Sequence, residues 1–336
     1  MSGTTPAAPD FPSLVQRFFL EGLVAQRNAS TRTIASYRDS FRLLLAYLRD
    51  RQGLEPGDVT LTALSPEVLS GFLSHLETDR GNSIRTRNVR LAAIRSFLRF
   101  ASVMDPGSLG SIKRALAIPQ KRFDRPLLGF LTRQEMDAIL ETPDSSTWSG
   151  RRDRVLFQLM YNTGARVSEV IAIAIKDVDR NRSHCVTLHG KGRKERTVPL
   201  WRTTLRSLDA WIREIGHDPD SPLFPSSGGE WMTRSGVEFR LGLAVKAAAR
   251  NCHSLTVKKV SPHTIRHTTA MHLLQSGVDI SVIAIWLGHE NIATTHMYIE
   301  ADLAMKEKAL EAVKEPTVKG TRFHASTGLI KFLESL

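Results

Sequence analysis

Cysteine is nearly absent: the 336-residue chain holds two, Cys185 and Cys252, far apart and in no CxxC spacing. This excludes a disulfide framework and a zinc ribbon, and it suits a reducing interior. Long apolar runs are also missing, and none approaches the roughly 20 residues needed to span a bilayer. The opening stretch MSGTTPAAPDFPS has neither a basic n-region nor an apolar h-region, so no secretory signal is expected. A cytoplasmic, membrane-free protein is the expectation. Acidic residues are few beside basic ones: 34 Asp+Glu face 46 Lys+Arg, for a formal net charge of +12 and a pI near 10.0. A chain this cationic suits a polyanionic partner, because each phosphate it neutralises releases condensed counterions. The carboxylates form no pair or triad at metal-ligand spacing, which argues against a phosphate site clamped by divalent metal.

Tyrosine is scarce as well, with only four in the chain. Tyr37, Tyr47 and Tyr161 fall in apolar helical stripes and read as core. Tyr298 instead follows the mostly polar run 291–296. A phenol with an intrinsic pKa of about 10 needs neighbouring cations or a base before it can act as a nucleophile.

The length predicts two domains. Residues 1–118 read as an all-α helical bundle. Ile34, Tyr37, Phe41, Leu44, Leu45 and Leu48 make one stripe at helical spacing, Ser65-Pro66 opens a helix, and a third helix covers about 84–102. That third helix carries Arg85, Arg87, Arg90, Arg95 and Arg99 with no acidic residue among them, and is expected to contact phosphates. Residues 119–130, bracketed by Pro119 and Pro126 and bearing Lys121 and Arg122, read as a basic linker able to lie on DNA. Residues 131–319 read as a mixed α+β domain. It opens with a Thr132/Glu135 capping box on a helix over 133–141, with a helix over 153–161 next. A β-hairpin then pairs 184–188 with 196–200, and helices are expected over 203–214, 236–250, 264–276 and 278–287. Residues 320–336 form a tail in which Leu329, Ile330, Phe332 and Leu333 could dock as a small helix. The fold class is therefore mostly α with a small β-sheet.

The chemistry concentrates late in the chain. His263 and Arg266 lie one helical turn apart, His289 follows Gly288, and Tyr298 stands nine residues later. Arg166 follows a glycine turn at the start of a short helix, a place suited to anions, with Glu169 one turn on to orient its guanidinium. Lys191 sits at the hairpin tip, where an ammonium can protonate a departing alkoxide. GKGRK is no phosphate loop, since it lacks the GK[ST] ending and leads into a strand. His267, four residues after His263, lacks the glutamate and third ligand of a zinc site. Taken singly, Arg166 reads as a surface arginine and His289 as a core histidine. Together, guanidinium forks, imidazoles and a phenol suit phosphoryl transfer without metal.

In TGARVSE (163–169), GKGRKERTVPL (190–200), SPHTIRH (261–267) and LGHENIATTHMY (287–298), the chain resembles the tyrosine recombinase (phage integrase) family. All six positions of the family's catalytic set are filled, by Arg166, Lys191, His263, Arg266, His289 and Tyr298. The resemblance implies a helical core-binding (SAM-like) domain, a catalytic domain, and site-specific cutting and rejoining of double-stranded DNA. Tyr298 would form a 3′-phosphotyrosyl link, with Arg166 and Arg266 on the non-bridging oxygens and Lys191 protonating the leaving oxygen. His263 and His289 would assist proton transfer. No cofactor, metal or ATP is implied; the partners would be DNA and three further copies in a synaptic tetramer at the nucleoid, with the tail docking on a neighbour. Thr269 departs from the family, many of whose members carry an aromatic residue there. A type IB topoisomerase, a non-catalytic DNA-binding protein on the same scaffold and a metal-dependent nuclease remain as alternatives, and phage, chromosomal and transposon-borne recombinases are not separated.

Overall fold

The computed structural model describes residues 10–123, 129–180, 183–190, 194–289 and 295. The chain divides into two compact units, Met1–Arg125 and Pro126–Leu336. The division falls within the stretch expected to be a linker, of which residues 124–128 lie outside the described residues, as does the 320–336 tail.

The first unit is helical. Helix α1 (Phe11–Arg17) runs on as a π-helical segment, Phe18–Gln26, and α2 (Thr31–Gln52), α3 (Pro66–Thr78), α4 (Ile84–Met104) and α5 (Leu109–Leu116) follow. Short polar residues start four of them. Asp10, Ser30, Ser65 and Ser83 each accept a hydrogen bond from the backbone N–H three residues on, satisfying a donor the helix itself cannot. The apolar stripes meet in an aromatic centre, where Phe97 sits edge-on to Phe18 (5.6 Å) and Phe41 (5.2 Å). Rings buried this way contribute through their area and through edge-to-face geometry.

The second unit is mixed. Helix α6 (Arg133–Glu141) has its capping box: Glu135 N–H donates to Thr132 Oγ1 (3.2 Å) and Thr132 N–H to Glu135 Oε2 (2.8 Å). Helix α7 runs over Trp148–Thr163, starting five residues before the expected Asp153. Its polar first turn hides the apolar period, but Thr147 caps it through the Gly150 N–H (3.0 Å). The one-turn α8 (Val167–Val170) precedes a three-stranded antiparallel sheet in the order β1 (Val178–Asp179), β2 (Cys185–His189), β3 (Glu195–Pro199). The two-residue β1 is too short to leave a sequence pattern. Val186 pairs with Val198 and Leu188 with Arg196, so these four share the inward face.

Among the described residues of this unit, α9 (Arg202–Ile215), α10 (Arg234–Ala248), α11 (Pro262–Gln275) and α12 (Ile280–Leu287) follow. The sheet's inner face joins Leu156, Leu208, Trp211, Phe224, Leu241 and Ile265 in a single core. Full burial of such side chains stabilises by about 1.5–3 kcal/mol each. No helix among the described residues is long and apolar enough to cross a membrane.

Candidate active site

The site assembles where α7, α11 and α12 end or begin together. Helix α7 stops at Gly164, whose φ of 59° is left-handed. Two residues later Arg166 leads into α8. The expected anion site at that helix start needs correcting, because α8 has only four residues and Arg166's own N–H is taken by Glu169 Oε2 (2.8 Å). What remains at this point is the guanidinium, and it is held. Arg166 Nη1 donates to Glu169 Oε1 (2.8 Å) and Nη2 to Gly288 O (3.4 Å).

Glu169 is 3% exposed and ionised. Burial raises its pKa, but bonds from Arg196 and Arg166 outweigh that and bring it to about 2. Arg196 was not anticipated as part of the site. It donates from Nη2 to Glu169 Oε2 (2.8 Å) and from Nε to Trp286 O (2.9 Å). The signal was present in the alternation of β3, which puts an arginine on the same inward face as Val198.

Arg266, one helical turn into α11, is 2% exposed and bridges two backbone ends. Its Nη1 donates to Gly164 O and its Nη2 to Leu287 O, each at 2.7 Å. Arg166 and Arg266, 100 residues apart in sequence, thus lean on the consecutive carbonyls of Gly288 and Leu287. Thr269, the residue departing from the family, is buried and bonds the carbonyls of Tyr161 (2.7 Å) and Ile265 (3.1 Å), fastening α11 to α7.

The imidazoles stand around these cations. His263 keeps a solvent-facing edge, while the protein behind it, and then Arg266, Arg166 and Arg234, lower its pKa. Its ring centroid lies 4.5 Å from that of His267, which burial, His263 and Arg266 push down to about 4. His289 is half-buried, places Nδ1 2.8 Å from Thr295 Oγ1, and is pushed down to about 4 by burial, Arg266 and Arg166, with smaller effects from His267 and Arg196. Arg166 and Arg266 both lower the pKa of His263 and of His289, which favours neutral rings. No group of three or more His, Cys, Asp or Glu suited to a metal ion occurs among the described residues.

Two members of the expected set, Lys191 and Tyr298, lie outside the described residues. The residue before Lys191 is described: Gly190 N–H closes the hairpin on Lys194 O (2.7 Å), and a Cβ there would stand 3.7 Å from Glu169 Oε1.

The arginine row of α4 divides. Arg85 and Arg99 are exposed, as are Lys121 and Arg122. The expectation that Arg87, Arg90 and Arg95 contact phosphate is corrected, since all three serve the fold. Arg87 is buried, bonding Asn88 Oδ1 (3.1 Å) and Pro119 O (3.3 Å). Arg90 donates to Ser36 O and Ser40 Oγ (both 3.1 Å), and Arg95 to Leu116 O (2.8 Å). A helix has one solvent face, and arginines spread all round it cannot all reach a ligand.

A helical unit is thus followed by a small-sheet unit that holds guanidiniums and imidazoles near the ends of α7 and α12 and the start of α11. Residues 129–319 match the phage integrase family, and residues 17–103 match the phage integrase N-terminal SAM-like domain. The Sinorhizobium fredii protein y4rC, named as a candidate integrase/recombinase, is 43% identical over 96% of this chain and 97% of its own length. Tyrosine recombinase XerC of Staphylococcus haemolyticus is 33% identical, covering 84% of this chain and 91% of its own. Among solved structures, the XerH recombinase in a post-cleavage complex has a TM-score of 0.67 at 21% identity, covering 85% of this chain and 81% of that one. A lambda integrase dimer on a core site has 0.63 at 17%, covering 88% and 96%. At those identities the structures speak for the fold. The chain belongs to the phage integrase family and is a tyrosine recombinase, a site-specific enzyme whose partner is DNA.

Proposed function

We propose that Tyr298 Oη attacks the scissile phosphorus, the P–O5′ bond breaks, and a 3′-phosphotyrosyl ester forms. Lys191 gives its proton to the departing O5′. Arg166 and Arg266 hold the non-bridging oxygens, where charge builds in the transition state, and Glu169 keeps Arg166 in place. His263 and His289, neutral before DNA arrives, take up and position the tyrosine's proton. Attack by the 5′-hydroxyl of a second strand reverses the sequence and rejoins DNA, so the ester conserves the bond energy and neither metal nor ATP is consumed. The observation that carries this reading is the pair of guanidiniums, Arg166 and Arg266, resting on adjacent carbonyls at the end of α12.

Arg85, Arg99, Lys121 and Arg122 contact the phosphates of the duplex. Four copies synapse two sites, the 320–336 tail docks on a neighbouring copy, and the protein works at the nucleoid. Expressing the tagged protein in cells, trapping covalent DNA and sequencing it tests the chemistry and finds the site together. Wild type yields adducts, in EDTA as well, while Tyr298→Phe binds the recovered duplex and yields none. Normal adducts from Tyr298→Phe would remove Tyr298 as the nucleophile. Uniform relaxation of any supercoiled plasmid would mark a topoisomerase instead.

A further inference from the structure

We infer that Arg196 is a positioning residue, setting the phosphate-clamping guanidinium of Arg166 through Glu169 and fixing the hairpin to the end of α12. The inference rests on the proposed role of Arg166. Arg196 reaches inward from β3, and only 12% of its side chain is exposed, so it faces protein and not the substrate. Its Nη2 occupies Glu169 Oε2, which leaves Oε1 to Arg166 Nη1. Its Nε holds Trp286 O, one residue before the carbonyl that Arg266 uses.

Gly288 is shaped to admit it. With φ at 65°, a Cβ there would stand 2.9 Å from Arg196 Nη1 and 3.1 Å from Cδ. One guanidinium thereby ties β3 to the α8 carboxylate and to the segment leading to His289. A fork with several fixed donors makes such a bridge, and a single ammonium does not.

The test uses full-length protein and a duplex carrying the sequence recovered from covalently trapped DNA, nicked just beyond the cleavage point so that adducts accumulate. Single-turnover adduct formation at saturating protein should fall about 100-fold in Arg196→Ala, the scale expected when a remote change shifts a reacting geometry. The Kd for the duplex should stay within about threefold, since Arg196 does not itself touch the DNA. In a Glu169→Ala background, adding Arg196→Ala should cost less than about threefold, because the residue it acts through is gone. A 5′-bridging phosphorothiolate duplex, whose leaving thiolate needs no proton, should leave most of the Arg196→Ala deficit in place. Should Arg196→Ala not fold, Arg196→Lys carries the same comparisons, with a smaller loss. Full additivity with Glu169→Ala, or a weaker Kd with an unchanged adduct rate, overturns the inference. Absence of any adduct from wild type would instead overturn the proposed function.

Discussion

The Tyr161 hydroxyl lies 2.7 Å from Nδ1 of His272, joining α7 to α11 across 111 residues of sequence. Both residues are under 8% exposed. Burial raises the tyrosine's pKa and lowers the histidine's, so both stay neutral. Tyr161→Phe keeps the ring and strands the buried Nδ1 without its partner, so it should cost about 1–3 kcal/mol. Thermal unfolding should register this as a loss of roughly 2–4 °C per kcal/mol in a unit of this size. An unchanged midpoint would mean that the bond contributes nothing.

Gly164 leaves no room for a side chain beside Leu287. A Cβ on Gly164 would lie 2.5 Å from Leu287 Cδ2, and the left-handed φ of 59° already disfavours any side chain. Leu287 is fully buried and cannot swing away. Gly164→Ala should therefore destabilise by more than the ~1 kcal/mol of the backbone conformation alone. It should also displace the carbonyl that Arg266 bonds, lowering adduct formation out of proportion to the loss of stability. Paired melting and single-turnover measurements separate the two effects.

Much of this was legible in the chain. Capping residues at Ser65 and Thr132 marked helix starts, because each satisfies a local backbone need that only a few residue types meet. The late motifs singled out Arg166, His263, Arg266 and His289 by residue type, since chemistry constrains it. What stayed hidden depended on which way a side chain faces. The arginines of α4 look alike in sequence, yet Arg90 caps the Ser36 carbonyl while Arg99 meets solvent. Arg196 gains its place only through the register, which sets it opposite Leu188. The start of α7 was hidden because the polar first turn carries no apolar period.

That division of α4 can be tested. Arg85→Ala and Arg99→Ala should weaken DNA binding and flatten its salt dependence, by about 0.9 in log–log slope for each phosphate no longer neutralised. Arg90→Ala should leave the slope alone and lower the melting temperature, since its two bonds tie α4 to α2. Salt titrations alongside melting curves decide this, and a changed slope for Arg90→Ala would restore it to the DNA face.

The clustered histidines predict an acid-side loss of stability. His267 and His289 titrate near 4 in the folded protein, and His263 below its ordinary value, against about 6.5 unfolded. Folded pKa values depressed below the unfolded one mean that the unfolded chain binds more protons as pH falls. The stability from keeping these rings neutral is complete above about 6.5 and drains away toward 4. Glu169 adds nothing to that trend, because its pKa of about 2 makes its loss begin only near the unfolded carboxylate range. The melting temperature should fall between pH 7.5 and 5.0, and His267→Gln should make the fall shallower. An equal slope in the variant would exclude His267 as a source.

Arg266→Lys tests the clamp at its most buried member. The guanidinium spans Gly164 O and Leu287 O with two separate nitrogens, each at 2.7 Å, and so binds the end of α7 to the end of α12. A lysine ammonium is a point on a flexible stem; it can reach one carbonyl and leaves the other without its donor. Two losses follow from one change. The buried acceptor lowers stability by about 1–3 kcal/mol, and the phosphate loses a fixed donor at the position where charge accumulates. Adduct formation should fall by about 10²–10³-fold, the scale of removing one preorganised donor. The Kd for the duplex should change little, because the rest of the basic surface still meets the backbone. Reading both on the same nicked duplex separates clamp from scaffold: a rate loss that a stabilising condition such as added osmolyte restores would make Arg266 structural, and one that persists in fully folded protein places it on the phosphate.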